Sequence, residues 1–287
     1  MKKYFILVAL LGYIIVPAYA QTKILSGSGT FTDGIEGPVC DRWGNLFVVN
    51  FQKQGTVGKV NLNGEATLFV ELPDSAVGNG LDFDAKGNIL VADYVGHLIW
   101  SIDTSTKKIV LYVKVDAMNQ PNDIVWAKSG CIYASDPAWA KGNGNLWMID
   151  INKVAVLLAE KIGTTNGIAL SPDQQTLYVN ESVQRRVWAY MLSKDGHVKS
   201  KKVIISFPDH GMDGMVCDEK GNLYIARYGA GVVAVFTPDG HPLKTIQLKG
   251  KKPTNVAFGG ADWKTLYITM QDDGSVETYK NDIAGLR

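Results

Sequence analysis

The chain contains few of the residues that build thiolate or imidazole metal sites. It has 3 cysteines and 4 histidines among 287 residues, and no Cys-x-x-Cys or His-rich pattern, which excludes the usual structural zinc sites. Lysine plus arginine (29) nearly balances aspartate plus glutamate (28), so no basic surface indicates binding to nucleic acid. Signatures of serine hydrolases, phosphate-binding loops and dinucleotide folds are also absent from the sequence.

Long apolar runs are absent except at the N-terminus. Two lysines there precede an apolar run over residues 5–16, which is followed by Pro17 and by the small residues Ala18 and Ala20. This order predicts a secretory signal peptide over residues 1–20. A membrane anchor is the alternative, but the run is shorter than the ~20 residues that a spanning helix needs. We therefore expect a periplasmic or secreted protein, whose formal charge changes from +1 to −1 on cleavage, without stable membrane insertion.

Six segments of the chain repeat one pattern. Each begins with a carboxylate or carboxamide residue, followed by a short apolar strand, a turn rich in Asp, Lys and Gly, and a second apolar strand. These starting residues, here called the ring residues, are Glu36, Asn79, Asn122, Asn166, Asp213 and Asn255. They lie 43, 43, 44, 47 and 42 residues apart. A period in the forties with several strands per unit predicts an all-β fold, a single six-bladed β-propeller over residues 21–287.

The last repeat is incomplete, because the chain nearly ends after its third strand at residues 275–279. Residues 22–31 belong to no repeat, so we expect them to supply the missing fourth strand of the last blade. Such a closure joins the two ends of the chain and removes a free sheet edge.

The cysteines Cys40, Cys131 and Cys217 could form one disulfide and leave one thiol free in an exported protein. However, Cys40 and Cys217 occupy the same repeat position in the first and fifth units, which are not neighbours in a ring of six. We therefore expect buried, unpaired thiols.

The ring residues should converge, because equivalent residues of propeller blades point at one central channel. Glu36 and Asp213 would repel each other there without a cation or proton. An all-oxygen set of carboxylates and carboxamides selects a hard divalent cation, and Ca2+ fits best because it accepts irregular oxygen sets. Mg2+, Mn2+ and Zn2+ are alternatives. The reading without a metal is that these residues cap strand starts, as Asn-Gly and Asp-Gly often do.

A second set of polar residues lies about fourteen positions later, where each return strand ends, and is expected to encircle the ring. This set is Asn50, Asp93, Asp136, Glu181, Arg227 and Thr269. Asp136 either orients substrate or caps its loop. His210, three residues before Asp213, is either a general base or a solvated loop residue. Trp139 and Phe51 follow return strands and could line a pocket.

Several of these stretches resemble the markers of a known family. Glu36-Gly37-Pro38, Pro121-Asn122-Asp123, residues 166–173 and Asp213-Gly214-Met215 closely resemble the marker stretches of the senescence-marker-protein/gluconolactonase (regucalcin-like) family. The resemblance covers essentially the whole mature chain, in order. It implies a six-bladed propeller with one catalytic divalent metal and, in many members, hydrolysis of lactones.

The resemblance also implies roles for individual residues. The implied metal ligands are Glu36, Asn122, Asn166 and Asp213. Asp213 would also donate and accept the proton, and Asn122 would contact the substrate. Asn79 and Asn255 would support the ligands or act through water. Gln120 stands where sugar-lactone members can carry an arginine, so the resemblance implies the hydrolase class more firmly than a sugar-lactone substrate.

Together these observations predict a divalent-metal-dependent hydrolase of cyclic esters that acts on a small-molecule lactone, as a monomer. A phosphotriester hydrolase is one alternative, because the same cation could polarise a phosphoryl oxygen. The other alternative is a non-catalytic propeller that binds a protein or a glycan at its mouth, because fold does not determine function. The complete ligand set favours the enzyme, since a binding module has no chemical need for it.

Overall fold

The computed structural model describes residues 22–286, and the predicted signal peptide lies outside the described residues. The described chain folds into 24 β-strands arranged in six four-stranded sheets. Its one helix is a short 3-10 turn, Trp139–Lys141, and no helix in this part of the chain has the length and apolarity to cross a membrane. The predicted all-β, six-bladed propeller is confirmed.

The first five blades are each built from four consecutive strands. Blade 1 contains β2 (Phe31–Cys40), β3 (Leu46–Phe51), β4 (Thr56–Val60) and β5 (Ala66–Glu71). Blade 2 contains β6 (Gly78–Phe83), β7 (Ile89–Asp93), β8 (Leu98–Ile102) and β9 (Ile109–Lys114). Blade 3 contains β10 (Ile124–Trp126), β11 (Ile132–Ala138), β12 (Asn143–Ile149) and β13 (Ala155–Ile162). Blade 4 contains β14 (Thr165–Leu170), β15 (Thr176–Glu181), β16 (Arg186–Leu192) and β17 (Val198–Ser206). Blade 5 contains β18 (Met215–Cys217), β19 (Leu223–Arg227), β20 (Val232–Phe236) and β21 (Pro242–Gln247).

Blade 6 joins the two ends of the chain. Its strands are β22 (Pro253–Gly259), β23 (Thr265–Met270), β24 (Ser275–Lys280) and β1 (Lys23–Ser26). β1 pairs antiparallel with β24, with Lys23 opposite Thr278 and Ser26 opposite Val276. Leu25 packs against the apolar cluster between blades 6 and 1. The predicted closure is confirmed, although Phe31 already belongs to the inner strand of blade 1.

The core lies between adjacent blades rather than at one centre. Six clusters of buried apolar side chains each join two neighbouring blades; Phe47 of blade 1, for example, shares a cluster with Ile89 of blade 2. The return strands are apolar on successive residues because both faces of a blade are covered. All three cysteines are buried and unpaired, as predicted.

The innermost strands, β2, β6, β10, β14, β18 and β22, contact one another in this order around the axis. Their pairing is irregular near the ring residues, with register shifts between Gly78 and Leu81 in β6 and between Thr165 and Ile168 in β14. Hydrogen bonds between blades replace some of the backbone hydrogen bonds that would otherwise pair the strands within a blade. The N–H of Gly80, for example, donates to the Asn122 carbonyl oxygen at 2.8 Å. Such irregular pairing re-aims side chains, here toward the axis.

Candidate active site

One mouth of the axial channel opens into a cavity of about 430 Å3. Its lining includes five of the six ring residues, namely Glu36, Asn79, Asn122, Asn166 and Asp213. Asn255 instead lines a second cavity, of about 510 Å3, on the other side of the ring. The structure therefore brings the four implied metal ligands, each from a different blade, to one cavity.

A glycine follows four of the ring residues because neighbouring backbones approach closely there. A Cβ atom on Gly80 would lie 2.7 Å from the Asn122 carbonyl oxygen, which is too close for any other residue. Gly37 and Gly167 likewise face backbone carbonyl oxygens of the next blade, and Gly214 faces the Asn255 side chain. The close approach narrows the channel, so side chains from different blades reach a common point.

Glu36 and Asp213, the two acids of the ring, lie within hydrogen-bonding reach of each other. Burial raises the pKa of Glu36 well above its usual value, and the charge of Asp213 raises it further. Burial also raises the pKa of Asp213 to about 7, against the opposing effect of a hydrogen bond from Asn166. A buried Glu36 and a half-buried Asp213, whose negative charges would repel each other, form a site for a cation or a proton.

Backbone and amide groups hold both acids in place. Glu36 Oε2 accepts hydrogen bonds from the Gly37 N–H at 3.0 Å and from Asn255 Nδ2 at 3.2 Å. The Asp213 N–H donates to the Ala226 carbonyl oxygen at 2.9 Å. Asn180 Nδ2 donates to the Asp213 carbonyl oxygen at 2.6 Å. The two carboxyl groups therefore project from fixed backbone.

The chemistry of this cavity fits a hard divalent cation. Its donors are carboxylate and amide oxygens, the ligands that Ca2+ and Mg2+ prefer. Asn79 Oδ1 is buried without a hydrogen-bond partner, as expected for an oxygen that faces an ion or its water. Within residues 22–286 no group of three or more His, Cys, Asp or Glu side chains is arranged as a metal site. The ring offers two acids, Glu36 and Asp213, and otherwise amides, which is enough negative charge to neutralise one dication.

Asp123 is a third buried acid beside the ring, to which the sequence pattern gave no role of its own. It follows Asn122 at the position where four other units carry glycine, and it is 6% exposed. Burial raises its pKa well above the usual value, and the charge of Glu36 acts in the same direction. Asp123 lines the second cavity, opposite the implied ligands. The interrupted glycine pattern is the sequence signal that identifies it.

The second set of polar residues lies one per blade on the strands next to the innermost ones, but it hardly opens onto the cavity. All six members are at most 5% exposed, and only Asn50 lines the cavity. They bind the segments that precede the ring residues. Asn50 Nδ2 donates to the Gly34 carbonyl oxygen at 2.6 Å, and Asp93 Oδ1 accepts from the Val77 N–H at 3.2 Å. This repeat position therefore anchors the approach to each inner strand.

Asp136 shows the anchoring role most fully. It is 0% exposed and lies outside the cavity lining. Its Oδ1 accepts from the N–H groups of Asn119 and Gln120, both at 2.7 Å. Its Oδ2 accepts from the side chains of Asn119, Asn145 and Trp147. Five donors thus surround the carboxylate, and this geometry corresponds to the loop-capping alternative rather than to the substrate contact.

The outer walls of the cavity come from loops. Trp139 lines the cavity and is 38% exposed, whereas Phe51 packs edge-to-face on Phe31 in the core. His210 is exposed and lies outside the lining. The other side chains of the outer wall, not anticipated from the sequence, are Asp33, Gln54, Tyr94, Ser182, Tyr228 and Gln271. Among the described residues, none that lines the cavity is Lys, Arg or His.

Comparison with known proteins agrees with this architecture. The chain is 28% identical over 271 residues to a gluconolactonase of Zymomonas mobilis, which covers 82% of this chain and 75% of that protein. It is 26% identical over 280 residues to the diisopropyl-fluorophosphatase of Loligo vulgaris, which covers 85% of this chain and 87% of that protein. Among solved structures, a calcium-binding regucalcin from Agrobacterium tumefaciens superposes with a TM-score of 0.82 at 23% identity, covering 93% of this chain and 96% of that one. This last likeness shows the fold.

The family assignment rests on a match over most of the chain. Residues 34–272 match the family model described as the SMP-30/Gluconolactonase/LRE-like region. The matched stretch runs from just before Glu36 to just after the end of β23, so it contains all six ring residues. The chain belongs to the SMP-30/gluconolactonase family.

Proposed function

We propose that the protein is a divalent-metal-dependent hydrolase that opens lactones. The observation that carries this proposal is the convergence of Glu36, Asn122, Asn166 and Asp213 from four blades on one cavity. Relatives named as a gluconolactonase and as a diisopropyl-fluorophosphatase support a hydrolase. A module that only binds a protein or a glycan has no need to place two opposing acids side by side at its mouth.

The cavity favours a small, uncharged and hydroxylated lactone. Asp33, Glu36 and Asp213 would repel an anionic substituent, and no cationic side chain among the described residues of the lining would attract one. Tyr228 donates a hydrogen bond to Gln271, and Gln271 Nε2 donates to the Asp33 carbonyl oxygen at 2.7 Å. The wall therefore presents fixed polar groups for hydroxyls. Trp139 offers an aromatic face for an apolar ring edge.

The proposed ligands are the four converging residues, and Ca2+ is the favoured ion. A dication held there would stabilise the negative charge that develops on the carbonyl oxygen during attack by water. Asp213 accepts a proton from the attacking water as the new C–O bond forms. It then returns the proton to the alkoxide released when the ring C–O bond breaks. Asn122 orients the ester, and the buried floor around Glu36 excludes bulk water.

Hydrolysis of phosphotriesters is a second candidate for the same site. The likeness to the Loligo vulgaris enzyme spans 85% of this chain, and a phosphoryl oxygen can be polarised in the same way as a carbonyl. The described residues of the lining include no cationic side chain, which also suits a neutral triester. We rank it below lactone hydrolysis because the cavity wall is rich in groups that bind hydroxyls.

The test is turnover of a panel of γ- and δ-lactones and one phosphotriester, before and after chelation. We expect lactone hydrolysis that is lost with the chelator and restored by Ca2+, Mg2+, Mn2+ or Zn2+, with neutral lactones preferred over phosphorylated ones. The variant Glu36→Gln should need more metal, while the exposed Glu65→Gln serves as the matched control. No turnover with metal demonstrably bound would favour the binding module. Full turnover in chelator would overturn the metal dependence.

A further inference from the structure

Arg227 is the only cation in the second set of polar residues, and it lies in the blade that carries Asp213. It ends β19 and is 5% exposed. The equivalent residues of the other blades are Asn, Asp, Glu or Thr. A buried charge needs close partners, because an unpaired one is strongly unfavourable. All the side-chain partners of Arg227 belong to the segment 207–213.

The guanidinium contacts this segment at three points. Nη2 donates to the Asp209 carbonyl oxygen at 2.7 Å and to Asp209 Oδ1 at 3.0 Å. Nε donates to the Gly211 carbonyl oxygen at 3.3 Å. The guanidinium carbon lies 3.5 Å from the ring centroid of Phe207. One side chain therefore fixes a stretch of five residues that ends two residues before Asp213.

The same strand also holds Asp213 directly. The Asp213 N–H donates to the Ala226 carbonyl oxygen at 2.9 Å, and the Ala226 N–H donates to the Gly214 carbonyl oxygen at 3.0 Å. Only Met212, which is 0% exposed, separates Asp213 from the carbonyl bound by Arg227. A displacement of the guanidinium is thus transmitted to Asp213 through a single packed residue.

We infer that Arg227 is a positioning residue that fixes segment 207–213 and thereby places the Asp213 carboxyl group in the cavity. The inference rests on the proposed function, in which Asp213 is a metal ligand and carries the proton. Lysine cannot replace this arginine, because an ammonium group lacks the planar fork that binds two carbonyls while stacking on a ring. Arg185 also reaches the segment, at the Pro208 carbonyl oxygen, but it is exposed and farther from Asp213.

The experiment compares Arg227→Lys with the matched variant Asp93→Asn, which changes the equivalent anchor in blade 2. Calcium affinity is measured by calorimetry, and kcat and KM are measured on the best lactone. We expect Arg227→Lys to weaken calcium binding about 10-fold and to lower kcat about 10- to 100-fold, with KM changed by less than about threefold. Asp93→Asn should stay within about threefold of the wild type in all three quantities, although it unfolds at a lower temperature.

A double-mutant cycle separates positioning from a general effect on the fold. If Arg227 acts through Asp213, adding Arg227→Lys to Asp213→Asn lowers the residual kcat no further. The inference would be overturned if Arg227→Lys lowered kcat as much in the Asp213→Asn background as in the wild type. Unchanged calcium affinity and kcat in Arg227→Lys alone would also overturn it. If the wild type opens no lactone, the proposed function fails. The calcium affinities of Arg227→Lys and Asp93→Asn then still test whether Arg227 positions Asp213. Should Arg227→Lys not fold, Phe207→Leu removes the stacked ring alone and is expected to weaken calcium binding about threefold.

Discussion

Burial controls the chemistry of individual residues in this protein. Glu36 is buried and Asp213 is half-buried beside it, and burial raises the pKa of both, so each resists ionisation until a cation compensates its charge. The amides of Asn122 and Asn166 add oxygen ligands without adding charge. In the proposed mechanism the two acids therefore have different tasks, because Glu36 mainly binds the metal and Asp213 also moves a proton.

The first prediction separates these tasks. Asp213→Asn removes the proton acceptor and leaves an amide oxygen, so we expect the fold to persist and kcat to fall by about 10^2- to 10^4-fold at saturating metal. Glu36→Gln should chiefly raise the metal concentration needed for half-maximal activity. Steady-state kinetics over a calcium series measure both effects. Full activity of Asp213→Asn with metal saturating would show that another group carries the proton.

The second prediction concerns pH. Burial raises the pKa of Asp213 from 3.8 to about 7 in the metal-free protein, so the folded state holds this proton more tightly than the unfolded chain. The stabilisation is complete below pH 4 and is lost as pH rises toward 7. In the presence of chelator, the unfolding temperature of Asp213→Asn should therefore rise relative to that of the wild type as pH increases from 4 to 7. Added Ca2+ should abolish that gain. A difference in unfolding temperature that stays constant, or that shifts in favour of the wild type as pH rises, would contradict the assignment.

The third prediction concerns Asp136, whose carboxylate accepts five hydrogen bonds. Asp136→Asn turns an NH2 group toward N–H donors, and each buried donor left unpaired costs about 1–3 kcal/mol. We expect a lower unfolding temperature with KM within about twofold of the wild type. Denaturant unfolding and kinetics on the folded variant measure the two effects. A large rise in KM at unchanged stability would restore the substrate contact.

One strand, β1, closes the ring of blades. β1 supplies only four residues, yet it completes blade 6 and covers the outer side of β24. Its Leu25 also packs into the cluster that joins blades 6 and 1. Without it the last blade would have three strands and an open edge.

The fourth prediction follows from this closure. Deleting residues 22–26 from the mature chain should lower the unfolding temperature by several degrees or more and loosen blade 6 before the others. Hydrogen exchange of the β24 amides, compared with those of β9 in blade 2, measures the local effect. The double variant Lys23→Ala and Ile24→Ala, which keeps the strand backbone, is the control. Equal protection of β24 with and without residues 22–26 would contradict the closure.

The elements predicted well were those set by the repeat. The repeats are spaced 42 to 47 residues apart, and apolar return strands, such as residues 46–49, and turns of the Asp-Lys-Gly type recur within them. The position of a residue within its repeat determines whether it faces the axis. The anchoring role of the second polar set could not be predicted from the sequence, for a related reason. These residues recur just as regularly within the repeat. A sequence does not show, however, that backbone N–H groups of the preceding loop, such as those bonded to Asp136, already surround the side chains.

Two further parts of the site depend on features that the repeat does not encode. Tyr94, Tyr228 and Gln271 line the cavity from loops after the return strands, and these loops have no common pattern. The inter-blade contact of Asp123 depends on how closely Gly80 lets two backbones approach. The implied metal ligands, by contrast, came from the family resemblance together with their shared repeat position.

At the scale of the whole molecule, the propeller separates a polar mouth that carries the proposed chemistry from a second, opposite cavity. The fifth prediction concerns where the molecule works. We propose that residues 1–20 direct export, so protein recovered from the native host should begin at Gln21. N-terminal sequencing of the secreted or periplasmic fraction measures this directly. Recovery of the full-length chain in the membrane fraction would instead indicate an anchor.

We propose that one divalent cation, held by the ring, makes the protein a lactone hydrolase. The most direct measurement titrates Ca2+ into the chelated protein while bound calcium and lactone turnover are recorded in the same sample. We expect activity to rise in proportion to the filling of a single site per chain, and Glu36→Gln to shift both curves together. Full turnover before any calcium binds, or a filled site without turnover of any lactone, would contradict it.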